Sequence, residues 1–236
     1  MKPLYVPKGA AKEYGDYAVN IYTGCPHRCY YCYAPAVLRK DREEFHSHVA
    51  PRPGIVEALR KQIDREGVTG RLVHLCFTCD PYPTGYDSGV TREVIQVLKE
   101  TGNHVQILTK GDGKRDFDLL DGNDWYGVTL DCMDPRRDNL RFLDLAAASA
   151  RGIKTWISFE PVVRPMMVID LLRAVPSTPA SLFVDKVMIG KLNHRTLKID
   201  WAEFGRRAES VCRELGIDYY IKESLRKEME NGEEGL

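Results

Sequence analysis

Apolar residues along the chain follow two alternating rhythms. Short apolar runs bounded by turn-forming residues lie at 17–22, 72–77, 104–110, 126–131, 155–159, 186–189 and 219–222, and each reads as a strand. Between them the apolar positions recur at helical spacing. Ile55, Leu59 and Ile63 give 55–66 a buried stripe, and Val94, Val97 and Leu98 do the same for 91–100. Helices are also predicted over 140–151, closed by Gly152, over 167–175, and over 201–215, closed by Gly216. Glycine ends a helix readily because it accepts the left-handed conformation of the cap. The charged segment 34–45 reads as partly helical, and Pro51-Arg52-Pro53-Gly54 marks the start of the helix that follows it.

Strands alternating with helices argue for parallel βα units joined by right-handed crossovers. The expected fold is α/β: a partial TIM-type (β/α)6 barrel, whose functional residues should lie at the C-terminal ends of its strands. Residues 1–16, rich in Pro, Gly, Lys and Tyr, read as an extended arm over the core. Residues 17–225 form the barrel domain, and 226–236 a polar, frayed tail.

Composition narrows the class. Lys plus Arg (34) equals Asp plus Glu (34), so no global field draws the chain to nucleic acid or membrane. Seven cysteines, an odd number, argue against a disulfide scaffold in a chain of 236 residues. The N-terminal residues lack the apolar core of a signal peptide, and no run approaches a membrane span, so the cytoplasm is the expected compartment.

Three of those cysteines fall within Thr23-Gly24-Cys25-Pro26-His27-Arg28-Cys29-Tyr30-Tyr31-Cys32-Tyr33-Ala34-Pro35, spaced C-x3-C-x2-C directly after the first strand. A structural zinc site takes four ligands, normally in two knuckles, and no second knuckle completes this one. His27 is the remaining zinc candidate, in a strained position between Pro26 and Cys29. A 4Fe-4S cluster is held by thiolates, normally four, so three would leave one iron open to a substrate or cofactor. A non-catalytic zinc- or cluster-binding regulatory or interaction protein is the alternative.

The loop, with an aromatic residue just before its third cysteine, resembles the signature of the radical S-adenosyl-L-methionine (SAM) superfamily. Tyr31-Cys32-Tyr33 is similar to the spore photoproduct lyase and DNA repair photolyase-like branch. The resemblance implies a 4Fe-4S cluster on Cys25, Cys29 and Cys32, with SAM closing the fourth iron. An electron from a reductase, flavodoxin or ferredoxin would then cleave SAM to a 5'-deoxyadenosyl radical for hydrogen abstraction, in lyase-like chemistry on a nucleic acid or nucleotide. Two features run against thymine-dimer repair: the chain is electrically neutral, and spore photoproduct lyase is longer.

The other strand ends carry the remaining candidates. Cys76 and Cys79, in Cys76-Phe77-Thr78-Cys79-Asp80-Pro81, read either as core cysteines before a turn or as hydrogen-atom donors, since an S–H bond is weak. In the lyase a cysteine lies three residues before an Asp, a position that is Phe77 here. The resemblance implies that Lys110 pairs with the SAM carboxylate, that Thr129 or Asp131 binds its ribose, and that Tyr33 relays a hydrogen atom. Tyr31 is expected to pack at the cluster and its cofactor. Ser158 and Glu160 repeat the strand-end pattern without a firm role, and Cys132 and Cys212 remain unassigned. The loop 190–198, with Lys191, Arg195 and Lys198 and no acid, is the candidate grip on an anionic substrate.

Overall fold

The N-terminal arm does not stay outside the sheet. In the computed structural model, which describes residues 2–132, 134–175, 184–191 and 199–231, Leu4–Tyr5 forms strand β1, antiparallel to β2 (Tyr17–Val19). Leu4 is fully buried, and Gln62 serves both of its backbone groups. The Gln62 side-chain carbonyl accepts the Leu4 N–H at 2.9 Å, while its amide donates to the Leu4 carbonyl at 2.8 Å. One glutamine thus takes the place of a neighbouring strand at a sheet edge.

The chain divides into two units, residues 1–126 and 127–236. In the first, β2, β3 (Leu72–Leu75) and β4 (His104–Thr109) are parallel, with Val19 opposite Leu75 and Val73 opposite Val105. The short helices α1 (Ala34–Leu38) and α2 (Arg42–Ser47) follow β2, and α3 (Ile55–Glu66) and α4 (Gly89–Glu100) make the crossovers. The expected stripes face inward: Ile55, Leu59, Ile63, Val94, Val97 and Leu98 are each at most 2% exposed. Burying such a side chain contributes about 1.5–3 kcal/mol.

β5 (Trp125–Thr129) crosses the junction between the units. The second unit continues with α5 (Pro135–Ser149), β6 (Lys154–Phe159), α6 (Pro165–Ala174), β7 (Lys186–Ile189), α7 (Trp201–Leu215), β8 (Tyr219–Ile221) and α8 (Glu223–Asn231). β6, β7 and β8 are parallel, with Ile157 opposite Val187 and Ile189 opposite Ile221. Strand order follows chain order throughout, and the fold is the mostly parallel, unclosed α/β sheet of a partial TIM-type barrel.

Three elements depart from the pattern reading. Several strands stop short of their apolar runs: β2 ends at Val19 and β3 at Leu75, where Cys76 turns into a left-handed backbone at φ 69°. α5 begins five residues before the expected 140, because the Asp134 carboxylate caps the amide of Arg136 at 3.0 Å and Pro135 pre-sets the first turn. Its apolar Leu140 and Leu143 are exposed, while Asp138 and Arg141 are buried as an ion pair at 3.0 Å. The expected frayed tail is instead helical over 223–231, anchored by fully buried Leu225.

Trp156 on β6, 2% exposed, lies against Gly127 on β5. A methyl at that glycine would come within 3.0 Å of the indole, closer than real side chains approach. Gly127→Ala is therefore expected to cost about 3 kcal/mol through overpacking, read as a lower urea midpoint with an unchanged slope. An unaltered midpoint would show that the indole yields freely.

Candidate active site

The cysteine loop leaves β2 through Asn20. The Asn20 side-chain carbonyl accepts the amides of Phe77 (2.8 Å) and Thr78 (2.9 Å), and its amide donates to the Tyr5 hydroxyl at 2.8 Å. Asn20 therefore ties the start of the cysteine loop to the turn after β3.

Helix α2 is the platform beneath the loop. The Cys25 amide donates to the Phe45 carbonyl at 3.3 Å, and His46 Nδ1 donates to the Cys25 carbonyl at 2.7 Å. The Arg42 guanidinium donates to the carbonyls of Cys29 and Cys32, the latter at 3.2 Å. Gly24 is pressed so close to the carbonyls of Phe45 and His48 that no side chain fits there. Arg28, with a left-handed backbone at φ 51°, forks onto the Glu43 carboxylate at 2.6 and 2.7 Å. Neither Arg42 nor His46 stood out in the sequence, because each sits in a short charged helix outside the motif.

His27 points away from the thiols and toward Asp80. Its Nε2 lies 3.1 Å from Asp80 Oδ2, with both side chains 8% exposed. The same carboxylate accepts the Thr109 hydroxyl at 2.5 Å and the amides of Tyr82 and Lys110, each at 2.8 Å. Burial alone would raise the Asp80 pKa, but His27, the Thr109 hydroxyl and the Lys110 amide outweigh it and hold it below its ordinary value.

Lys110 lies just past β4, with Nζ 5.5 Å from the centre of the Tyr31 ring. Burial raises the Cys32 thiol pKa, and the Lys110 charge is among the influences opposing that rise. Tyr31, Cys32 and Lys110 thus share one neighbourhood. Burial likewise pushes the Cys25 thiol up, with the Asp80 charge adding to the effect. The Tyr33 hydroxyl donates to the Phe77 carbonyl at 2.6 Å, joining it to the turn that carries Cys76 and Cys79. Cys79 Sγ accepts the Tyr22 amide at 3.4 Å, and Cys76, three residues earlier in the same turn, is buried.

In the second unit, Thr129 ends β5, nearly buried, and its carbonyl accepts Arg141 at 2.9 Å. Asp131 follows half-buried, and Cys132 is fully buried in a left-handed backbone at φ 57°. Glu160, after β6, pairs with Lys222, a nearly buried lysine at the end of β8 that the pattern reading did not single out. Lys191 pairs with Glu228, so gripping an anion there would require opening that pair. Residues 192–198, Arg195 and Lys198 included, lie outside the described residues.

Among the described residues, no group of three or more His, Cys, Asp or Glu side chains is disposed to hold a single metal ion. Three thiols on one loop, whose backbone α2 secures, are three of the thiolate donors a multi-iron cluster takes. The residues present fit that group. Among the described residues, no helix is long and apolar enough to cross a membrane.

The model of the Radical SAM superfamily matches residues 19–159, more than half of the chain, and the chain belongs to that enzyme superfamily. An uncharacterized protein of Mycobacterium tuberculosis (strain H37Rv) and another of Mycobacterium bovis are each 30% identical over 121 residues, 49% of this chain and 35% of the relative. The chain thus spans about a third of the length of these curated relatives. A Cys-to-Ser mutant of spore photoproduct lyase shares the fold with a TM-score of 0.69 at 11% identity, covering 92% of this chain and 79% of that one. A double mutant of that lyase with bound AdoMet and dinucleoside spore photoproduct gives 0.58 at 14% identity, covering 88% of this chain and 64% of that one.

Asp80→Asn is expected to cost about 3 kcal/mol, the scale for breaking a buried charged pair. Because the folded-state pKa is depressed, the carboxylate's contribution is complete above the ordinary value of 3.8 and disappears as pH falls through the lower folded value. Urea midpoints of wild type and variant should therefore differ at neutral pH and converge in acid. A gap that persists unchanged in acid would assign the loss to packing.

Proposed function

We propose that Cys25, Cys29 and Cys32 hold a 4Fe-4S cluster and that the chain cleaves SAM reductively to abstract a hydrogen atom from a nucleic-acid or nucleotide substrate, in the manner of spore photoproduct lyase. The observation that carries this reading is the three-thiol loop with Lys110 and Tyr31 gathered beside Cys32. When bound, the cluster and SAM supply an electron and a 5'-deoxyadenosyl radical. The chain's own residues orient and protect that chemistry. α2 fixes the loop backbone, and Asp80 fixes the loop from the side of β4. The Lys110 ammonium offers a point charge to the SAM carboxylate. Thr129 or Asp131 takes the ribose hydroxyls.

Cys79, with Cys76 in the same turn, gives a hydrogen atom to the substrate radical, and Tyr33 relays a hydrogen atom between that cysteine and the cofactor. The nucleotide substrate is supported by the dinucleoside bound in the related fold. A flavodoxin, ferredoxin or other reductase supplies the electron, and the cytoplasm keeps the thiols reduced.

Anaerobic reconstitution with iron and sulfide, then reduction with SAM present, tests the class. The expected outcome is about four irons per chain and formation of 5'-deoxyadenosine, both lost in the combined Cys25→Ala, Cys29→Ala, Cys32→Ala variant. Zinc uptake with SAM left intact under strong reductant would overturn it. In the loaded protein, Lys110→Ala should weaken SAM binding about tenfold or more, the loss of one charge-assisted hydrogen bond. Unchanged SAM affinity would remove Lys110 from the site.

A further inference from the structure

We infer that Cys76 and Cys79 form a redox-active pair that closes reversibly to a disulfide by exchange with a small-molecule disulfide of the glutathione type. The sequence offered them as two separate candidates for one role. The structure makes them partners.

The case begins with the backbone. Cys76 is a non-glycine residue at φ 69°, a strained conformation that persists only where the surroundings enforce it. Those surroundings are on both sides of the turn. The Cys76 amide donates to the Val19 carbonyl at 2.8 Å. Asn20 takes the amides of both intervening residues, and the Tyr33 hydroxyl takes the Phe77 carbonyl. Pinned in this way, the turn carries two free thiols three residues apart, Cys76 on its buried side and Cys79 on its partly exposed side.

The two sulfurs are not equivalent. Cys76 is buried, whereas Cys79 is partly exposed. Burial pushes the Cys76 thiol well above its ordinary pKa. At Cys79 burial acts in the same direction, but the Cys76 thiol and the amides of Tyr22 and Ile21 outweigh it and favour the thiolate. This is the division of labour a dithiol needs: one accessible thiolate to attack and one sheltered thiol to resolve.

The Cys79 thiolate attacks one sulfur of the external disulfide, forming a mixed disulfide and releasing one thiolate. Cys76 then gives up its proton to that thiolate and attacks Cys79 sulfur, expelling the second thiolate, which takes a proton from solvent. Two protein thiols are oxidised to one disulfide while one external disulfide is reduced to two thiols. The closed pair has no S–H left. If Cys79 is the hydrogen donor proposed above, closure silences that step; this consequence rests on the proposed function, whereas formation of the disulfide does not.

Trypsin makes the test direct. Cleavage after Arg71 and Arg92 releases residues 72–92, which hold Cys76 and Cys79 and no other cysteine, while the cluster cysteines leave on other peptides. Cluster-loaded protein is incubated anaerobically with oxidised glutathione, alkylated in denaturant, digested and weighed. The expected 72–92 peptide carries neither label and is lighter than the reduced form by two hydrogens, and dithiothreitol restores both labels. Cys76→Ser should lose the disulfide entirely and retain one glutathione on Cys79. Cys76→Gly, which relieves the strained backbone, serves the same purpose if the serine variant misfolds. Full alkylation of both residues in wild type, a stable glutathione adduct on wild type, or a cross-link to a cluster cysteine would each overturn the inference. The same digestion on the variant lacking all three cluster cysteines keeps the outcome separate from SAM cleavage, since closure there is expected to be intact.

Discussion

Asp80 carries a buried carboxylate on which three strand ends converge. From the turn after β3 it accepts the hydroxyl of Thr109 and the amide of Lys110 at the end of β4, accepts the amide of Tyr82 in its own turn, and faces His27 in the loop that follows β2. Burying a charge is tolerable only where hydrogen bonds and an opposite or polar partner compensate it. Here that requirement is met by residues drawn from each neighbouring segment, so the loop bearing Cys25, Cys29 and Cys32 is positioned by the strands rather than by its own local preferences. Lys110 reaches the neighbourhood of Tyr31 and Cys32 because its amide is held on the same carboxylate.

The loop is secured from its other side by α2, and the two supports act on different groups. Asp80 holds a side chain, His27, while Arg42, His46 and the carbonyl of Phe45 hold backbone groups of the three cysteines. Neither support engages the sulfurs themselves. Burial raises the thiols of both Cys25 and Cys32 above their ordinary pKa.

The turn that contributes Asp80 also contributes the paired cysteines, and Asn20 and Tyr33 connect it back to the cysteine loop. The cysteine loop, Lys110 and the turn with Cys76 and Cys79 are therefore mechanically linked through a few hydrogen bonds in the first unit.

The order of strands and helices was legible in the sequence because hydrophobic periodicity is local: the bounds of α3, β7 and α7 coincide with their apolar patterns. The spacing of Cys25, Cys29 and Cys32 was legible for the same reason, since all three donors lie on one short loop. What escaped depends on contacts between residues far apart. Gln62 completes Leu4 across 58 positions, and Asp80 reaches Thr109 across 29. Helix α5 turns its leucines outward because Arg141 is drawn inward by the Thr129 carbonyl and Asp138. Amino-acid order alone determined the alternation of elements and the thiol motif, through forces acting over a few residues. Only tertiary packing decided which polar groups meet, because a buried donor or acceptor takes its partner from whatever segment the fold brings alongside.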